Sequence, residues 1–193
     1  MQQDSLIIYS GGMDSTTLLY EYKDVIGMAI SFNYGSKHND REFEYAERNT
    51  KELGIKHIKI DLRNIMSNFK SNLLQEGGEI PHGHYAEENM KKTVIPFRNG
   101  IMLSIASGIA ESNGYKKVLI ANHFGDHDVY PDCRVDFIDN MNKAVKFGTW
   151  EGIEIIAPYS SITKRDIAEI AKKNGLSLGD ISYSCYEGDD IHC

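Results

Sequence analysis

Within six positions, Ser10-Gly11-Gly12-Met13-Asp14-Ser15 brings together hydroxyls, a carboxylate and two glycines, directly after the apolar run Leu6-Ile7-Ile8 and Tyr9. A short β-branched, apolar run reads as a buried strand. Two glycines then allow a turn in which backbone approaches a ligand without a Cβ in the way. Asp14 or Ser15 can serve as N-cap for the helix that Leu18, Leu19 and Tyr22 continue. N–H groups at such a turn, aligned with a helix axis, form an anion site suited to phosphate. An ordinary strand-to-helix turn is the plainer reading, but it does not require the full Ser-Gly-Gly-x-Asp-Ser string. No Gly-Lys-Ser/Thr follows, so the loop is not of the Walker type.

Further chemistry lies in three strings. Arg98, in Thr93-Val94-Ile95-Pro96-Phe97-Arg98-Asn99, precedes a long apolar helix that Asn99 can cap. A guanidinium beside a helix N-terminus suits phosphate or carboxylate. Tyr130-Pro131-Asp132-Cys133-Arg134 supplies both charges and a thiol, and Ser182-Tyr183-Ser184-Cys185-Tyr186 lies near the end. Asp132 can accept hydrogen bonds from a ligand or cap the following helix. Lys164 is either a charge-neutralising group or a solvated first-turn lysine, though a cation there opposes the helix dipole. Phe32 and Tyr34 read equally as stacking platforms or as core. His82-Gly83-His84 has metal-ligand spacing, but alternate histidines in a Gly/Pro-rich loop are more often solvated.

Alternating elements must position these groups. Strands are expected at Leu6–Ile8, Val25–Phe32, Ile55–Ile60, Val118–Ala121 and Ile153–Ile156. Between them, Asn39 or Asp40 caps a helix reaching Leu53, with Gly54 as its stop. Ile101, Ile105 and Ile109 mark a buried helix, and Phe137, Met141 and Val145 another before Gly148. Thr163 caps the last helix, with Asp166 completing a capping box and Ile162 and Ile167 a hydrophobic staple, and Gly175 ends it. The pattern predicts an α/β fold: a doubly wound, parallel five-stranded sheet with helices on both faces. Ligands of such sheets sit beyond the carboxyl ends of the strands. Residues 61–97 lack strong periodicity and are punctuated by Gly and Pro, as expected of a lid or substrate loop.

Composition bounds the partners. One domain, 1–193, fits the length, and 41% hydrophobic with 25% charged residues is ordinary for a globular protein. No apolar run approaches a membrane span, no room is left for a signal peptide, and three irregularly spaced cysteines fit a reducing cytoplasm. A net charge of −7 argues against a nucleic-acid partner.

The Gly-Gly loop resembles the pyrophosphate (PP) loop of the ATP pyrophosphatases, which include NAD synthetases, the synthetase half of GMP synthetases, tRNA thiolases and 7-cyano-7-deazaguanine synthases. Together with Phe32-Asn33-Tyr34-Gly35, Tyr130-Pro131-Asp132-Cys133-Arg134, Ile162-Thr163-Lys164 and Ser184-Cys185-Tyr186, it makes the chain resemble the 7-cyano-7-deazaguanine synthase family over nearly its whole length. The resemblance implies an adenine nucleotide alpha-hydrolase-like fold and cleavage of ATP to AMP and pyrophosphate. It also implies an acceptor, 7-carboxy-7-deazaguanine, which is adenylated, amidated by free ammonia and then dehydrated to the nitrile in queuosine precursor biosynthesis. The nucleotide would lie along Tyr9, Ser10, Gly11, Gly12, Met13, Asp14, Ser15, Thr16, Thr17, Leu18 and Leu19. Asp14 would hold Mg2+ or lock the turn, and Arg98, Asp132, Arg134 and Lys164 would serve catalysis. Family members also hold zinc on four cysteines and are often homodimers. Here Cys185 and Cys193 match the first two, leaving the zinc-binding segment at about 182–193 incomplete, with its tail expected to lie beyond Cys193.

The chain departs from the family pattern at Ile95-Pro96-Phe97-Arg98-Asn99-Gly100, usually Val-Pro-x-Arg-Asn-Thr, and at Asp126-His127-Asp128-Val129, usually Asp-Tyr-Ser-Gly. The middle substitutions of the second run fall where the acceptor would rest. The competing readings are a related enzyme with another acceptor, such as an anti-phage defence relative or a tRNA thiolase, and a non-catalytic nucleotide binder.

Overall fold

The structure, a computed structural model, describes residues 3–74 and 92–183. Five parallel strands pair in the order β3-β2-β1-β4-β5: β1 Ser5–Ile8, β2 Ile26–Asn33, β3 Lys56–Asp61, β4 Lys117–Leu119 and β5 Glu154–Ile156. Each observed strand lies within two residues of its expected bounds. The apolar runs of β1 and β2 reflect burial on both faces, as central parallel strands require.

Side-chain alternation divides the core in two. Leu6, Met28, Ile30 and Val118 face a layer containing Met102, Leu103 and Ala106 of α4 (Arg98–Ser112) and Ile138 and Val145 of α5 (Val135–Gly148). Ile7, Tyr9, Ala29 and Leu119 face the other layer, with Leu18 and Leu19 of α1 (Met13–Glu21), Ala46 of α2 (Asn39–Glu52) and Ile167 of α6 (Lys164–Lys173). The winding reverses at β1, where β2 and β4 flank it on opposite edges. That reversal opens a crevice at the carboxyl ends.

Capping departs from expectation at three helices, and at α2 the N-cap is His38, with no side-chain cap, so Asn39 and Asp40 fall inside the helix. Gly12, not Asp14 or Ser15, is the N-cap of α1, with no side-chain cap. Phe97 is the N-cap of α4, in a left-handed conformation (φ 56°), so Asn99 falls inside the helix. The Thr163–Asp166 capping box is present, and Gly54 and Gly175 adopt the positive φ of helix stops. Two one-turn helices, α3 (Arg63–Met66) and α7 (Leu178–Ile181), are too short to show a period. Within the expected lid segment, Leu62, Met66, Leu73 and Leu74 enter the core, while residues 75–91, with His82 and His84, lie outside the described residues.

Candidate active site

The turn from β1 into α1 is built by two glycines and two hydroxyls. Gly11 takes φ 98°, and a Cβ there would meet the Glu42 carbonyl oxygen at 2.1 Å. Only glycine lets α2 press this closely on the loop. The Ser10 and Ser15 hydroxyls lie 3.0 Å apart, Gly12 N–H donates to Ser10 Oγ (3.0 Å), and Ser15 Oγ donates to the Gly12 carbonyl (3.2 Å). These bonds brace the turn and leave the first turn of α1 without a side-chain cap. Tyr183 N–H donates to the Gly11 carbonyl (3.1 Å), so the Ser182-Tyr183 string reaches the loop.

The loop opens into a cleft of about 210 Å³ lined by Ser10, Gly12, Met13, Asp14 and Ser15 from the β1–α1 turn. Opposite stand Tyr34, His38, Glu42, Arg98, Asn122, Asp126, Tyr130, Cys133 and Lys164. The Arg98 guanidinium lies over two phenol rings, Tyr34 at 5.4 Å and Tyr130 at 5.7 Å. Stacking on both rings fixes its planar fork while leaving the charge in the cleft. Phe97 holds the backbone turn before it; its ring packs edge-on against Phe137 at 5.6 Å and lies where any side chain on residue 100 would sit. Gly100 makes room for that ring.

Asp132 does something the sequence did not suggest. Its Oδ2 accepts the Asn99 N–H at 2.7 Å, so it caps α4, not the helix that follows it. The anion-favouring end of α4 therefore already carries an internal carboxylate. Asn99 Nδ2 donates to the Asp132 carbonyl (3.3 Å) and to Cys133 Sγ (3.1 Å), and Asn122 Nδ2 donates to the Cys133 carbonyl (2.7 Å). Burial pushes the Cys133 thiol up to about 12, with Asp126 adding to the effect.

Asp14 sits at the phosphate end. Burial raises its pKa, against the pull of Lys164 and His123. His123 Nε2 stands 3.7 Å from Asp14 Oδ2 and 3.6 Å from Asp126 Oδ1, while its Nδ1 accepts the Gly125 N–H at 3.0 Å. Asp14 Oδ1 is buried with no hydrogen-bond partner. A lone desolvated carboxylate oxygen, with a second carboxylate nearby, suits Mg2+, which takes one or two carboxylates and completes its shell with phosphate and water. Among the described residues no three His, Cys, Asp or Glu side chains group as a metal set.

Several expected site residues stand elsewhere. Tyr9, Thr16, Thr17, Leu18 and Leu19 are fully buried; the Tyr9 hydroxyl bonds Thr16 and Asn49, and the leucines and Tyr9 pack on the sheet face away from Arg98. Arg134 is exposed, and its Nε donates to the His127 carbonyl at 2.9 Å. Phe32 is core, whereas Tyr34 lines the cleft. Cys185 and Cys193 lie outside the described residues. Sequence reasoning passed over Glu42, His38, Asn122 and His123. Each is only 4–9% exposed yet chemically polar, a combination that only the packing reveals.

The family model described as queuosine biosynthesis protein QueC matches residues 4–193. A 7-cyano-7-deazaguanine synthase from Porphyromonas gingivalis is 54% identical over 192 residues, covering 100% of this chain and 87% of that protein. The synthase of that name from Desulfotalea psychrophila is 48% identical, covering 98% and 87%. Among solved structures, an NMN synthetase from Francisella tularensis aligns with TM-score 0.56 at 11% identity, covering 98% of this chain and 69% of that one. A predicted tRNA methyltransferase subunit from Methanocaldococcus jannaschii gives 0.54 at 18% identity, covering 88% and 74%, and both share the fold.

Proposed function

The chain belongs to the queuosine biosynthesis protein QueC family, and from that premise we propose that it is a 7-cyano-7-deazaguanine synthase, an ATP-dependent carbon–nitrogen ligase. The observation that carries this reading is that an uncapped helix N-terminus behind a Gly-Gly turn opens into the same cleft as a ring-stacked arginine. One binds phosphate; the other is placed for the anionic acceptor.

The chemistry follows from what a carboxylate lacks. Its oxygens leave poorly and its charge repels nucleophiles. An acceptor oxygen attacks the α-phosphorus of ATP, pyrophosphate departs, and the carbonyl carbon now carries AMP as a good leaving group. Ammonia displaces AMP to give the amide. A second adenylation, on the amide oxygen, precedes loss of AMP and formation of the nitrile. Ser10, Gly12, Met13, Asp14 and Ser15 hold the phosphates, and Lys164, at the first turn of α6 beside Asp14, faces the charge that develops on pyrophosphate. Arg98 orients the acceptor carboxylate. Mg2+, when bound at Asp14 and Asp126, neutralises phosphate charge.

Cys133 speaks against a thiolase. Sulfur carriage needs a thiolate, and this thiol is 3% exposed and held protonated by burial. Zinc on Cys185 and Cys193 and a homodimer rest on the family resemblance, and a cytoplasmic location on the cysteine pattern; zinc analysis and sedimentation of the purified protein test the first two. No helix among the described residues is long and apolar enough to cross a membrane.

The test is AMP formation from ATP with separate acceptors. The synthase requires 7-carboxy-7-deazaguanine and ammonium, a thiolase requires tRNA and a sulfur donor, and a binder makes no AMP with either. Asp14→Ala is expected to abolish AMP formation with the melting temperature little changed; full turnover in that variant removes the loop from the reaction.

A further inference from the structure

Glu42 stands between the two anion-holding parts of the cleft. Its backbone carbonyl abuts Gly11, and its Oε1 lies 3.0 Å from where a Cβ on Gly12 would sit. It lines the cleft at only 9% exposure. The groups around it come from every side: the Ser10 hydroxyl, Asp14 from α1, Arg98 from α4, and the Tyr9 and Tyr34 phenols. On its own helix, His38 Nε2 is 3.7 Å from Glu42 Oε2 and 3.4 Å from the Tyr34 hydroxyl.

The three aspartates nearby have other neighbours. Asp132 caps α4, Asp14 and Asp126 face His123, and His123 Nδ1 accepts the Gly125 N–H. Burial, with Asp14 adding to it against Ser10 and Arg98, pushes the Glu42 carboxyl up to about 8. A group that titrates near neutral pH can both take and release a proton within one cycle.

We propose that Glu42 is the catalytic base of the nitrogen-transfer step, taking the proton that ammonia sheds as it joins the activated carbonyl carbon. The inference rests on the synthase reading. The nitrogen lone pair forms the C–N bond, the C–O bond to AMP breaks with its electron pair leaving on AMP, and the surplus N–H proton passes to the Glu42 carboxylate. Water at the open cleft then takes that proton. In the second round the same carboxylate accepts the last N–H proton as the C–O bond to AMP breaks and the nitrile forms.

Two assays on wild type and Glu42→Gln separate the halves of the reaction. Exchange of labelled pyrophosphate into ATP, with 7-carboxy-7-deazaguanine and no ammonium, reads adenylation. Amide and nitrile formation with ammonium reads the nitrogen step. Exchange in the variant is expected within a few-fold of wild type, and amide formation is expected to fall about 10²-fold or more. With free ammonia held constant, the wild-type nitrogen step rises with pH and levels above about pH 8, while the variant lacks that limb. Parallel loss of exchange, undiminished amide formation, or an unchanged pH limb overturns the proposal. If the glutamine variant does not melt cooperatively, Glu42→Asp takes its place: retained exchange with a slowed nitrogen step supports the base, and equal loss of both overturns it. Wild-type protein that exchanges no pyrophosphate removes the synthase reading itself, a result distinguishable from failure of Glu42 alone.

Discussion

The N-termini of α1 and α4 face one cleft, and both lack a capping side chain on the N-cap residue itself. At α4 the vacancy is filled from inside: Asp132, 33 residues away in sequence, accepts the Asn99 N–H at 2.7 Å. At α1 no side chain caps the first turn, and the backbone is bent into a conformation that only glycine tolerates. A helix end becomes a ligand site only where the protein withholds its own carboxylate. The positive φ of Gly11 and the burial of Glu42 both sit at the open end.

The sharpest way to break this contrast is Gly11→Ala. A Cβ there meets a backbone carbonyl at 2.1 Å and φ 98° is unfavourable for alanine, so the turn must shift. Destabilisation of roughly 2–5 kcal/mol is expected, with pyrophosphate exchange lost. Thermal melting and exchange assays check the two parts. A variant that melts and exchanges like wild type means the close approach of α2 is not what shapes the loop.

Glu42 gives the next largest effect, on stability and with a defined sign. Its folded-state pKa, about 8, lies above the ordinary carboxylate value of 4.5. The fold therefore favours the protonated form: its contribution is complete below the unfolded pKa and is lost as pH rises through the folded one. Glu42→Gln removes the titration. Its stability relative to wild type should increase between about pH 4.5 and 8, by on the order of a few kcal/mol. Urea unfolding at pH 5 and pH 8.5 measures the change, and a gap that stays constant with pH contradicts burial of this acid.

These two positions also mark how far the sequence could be read. The strands and main helices were legible because apolar period and helix stops are local signals, and Gly11 and Asp14 were legible because a strand, two glycines and a helix start fall within ten residues. Glu42 was not. In Asn39-Asp40-Arg41-Glu42-Phe43-Glu44 it looks like one more charge on a solvated helix face, and only the tertiary packing that brings Ser10, Gly12, Arg98 and Tyr34 around its carboxyl reveals it as buried. Asp132 was legible as a reactive carboxylate or as a cap of the helix after it, but not as the cap of α4, because that helix comes earlier in the chain. Tyr9, Thr16 and Thr17 carry hydroxyls in the right string, yet strand alternation and helix rotation turn them toward the opposite core.

Asp132→Ala tests the closed end. Losing the acceptor for the Asn99 N–H should destabilise by about 1–2 kcal/mol, seen as a melting temperature lower by several degrees. Pyrophosphate exchange at saturating acceptor should change less than it does in Gly11→Ala. An unchanged melting temperature with a large rise in KM for the acceptor makes Asp132 a ligand-reading group and erases the distinction between the two helix ends.

Arg134→Ala should have the smallest effect and refines the rule. Arg134 is the N-cap residue of α5, whose first turn also has no side-chain cap. That end is exposed, however, and Arg134 itself is exposed with its Nε on the His127 carbonyl. Water can satisfy the N–H groups of such an end, so lack of a cap alone does not make a site. Stability within about 0.5 kcal/mol of wild type and turnover within about twofold are expected, measured by unfolding and steady-state product formation. A tenfold loss of turnover would instead bring α5 into the reaction and show that burial is not what sets the α1 end apart.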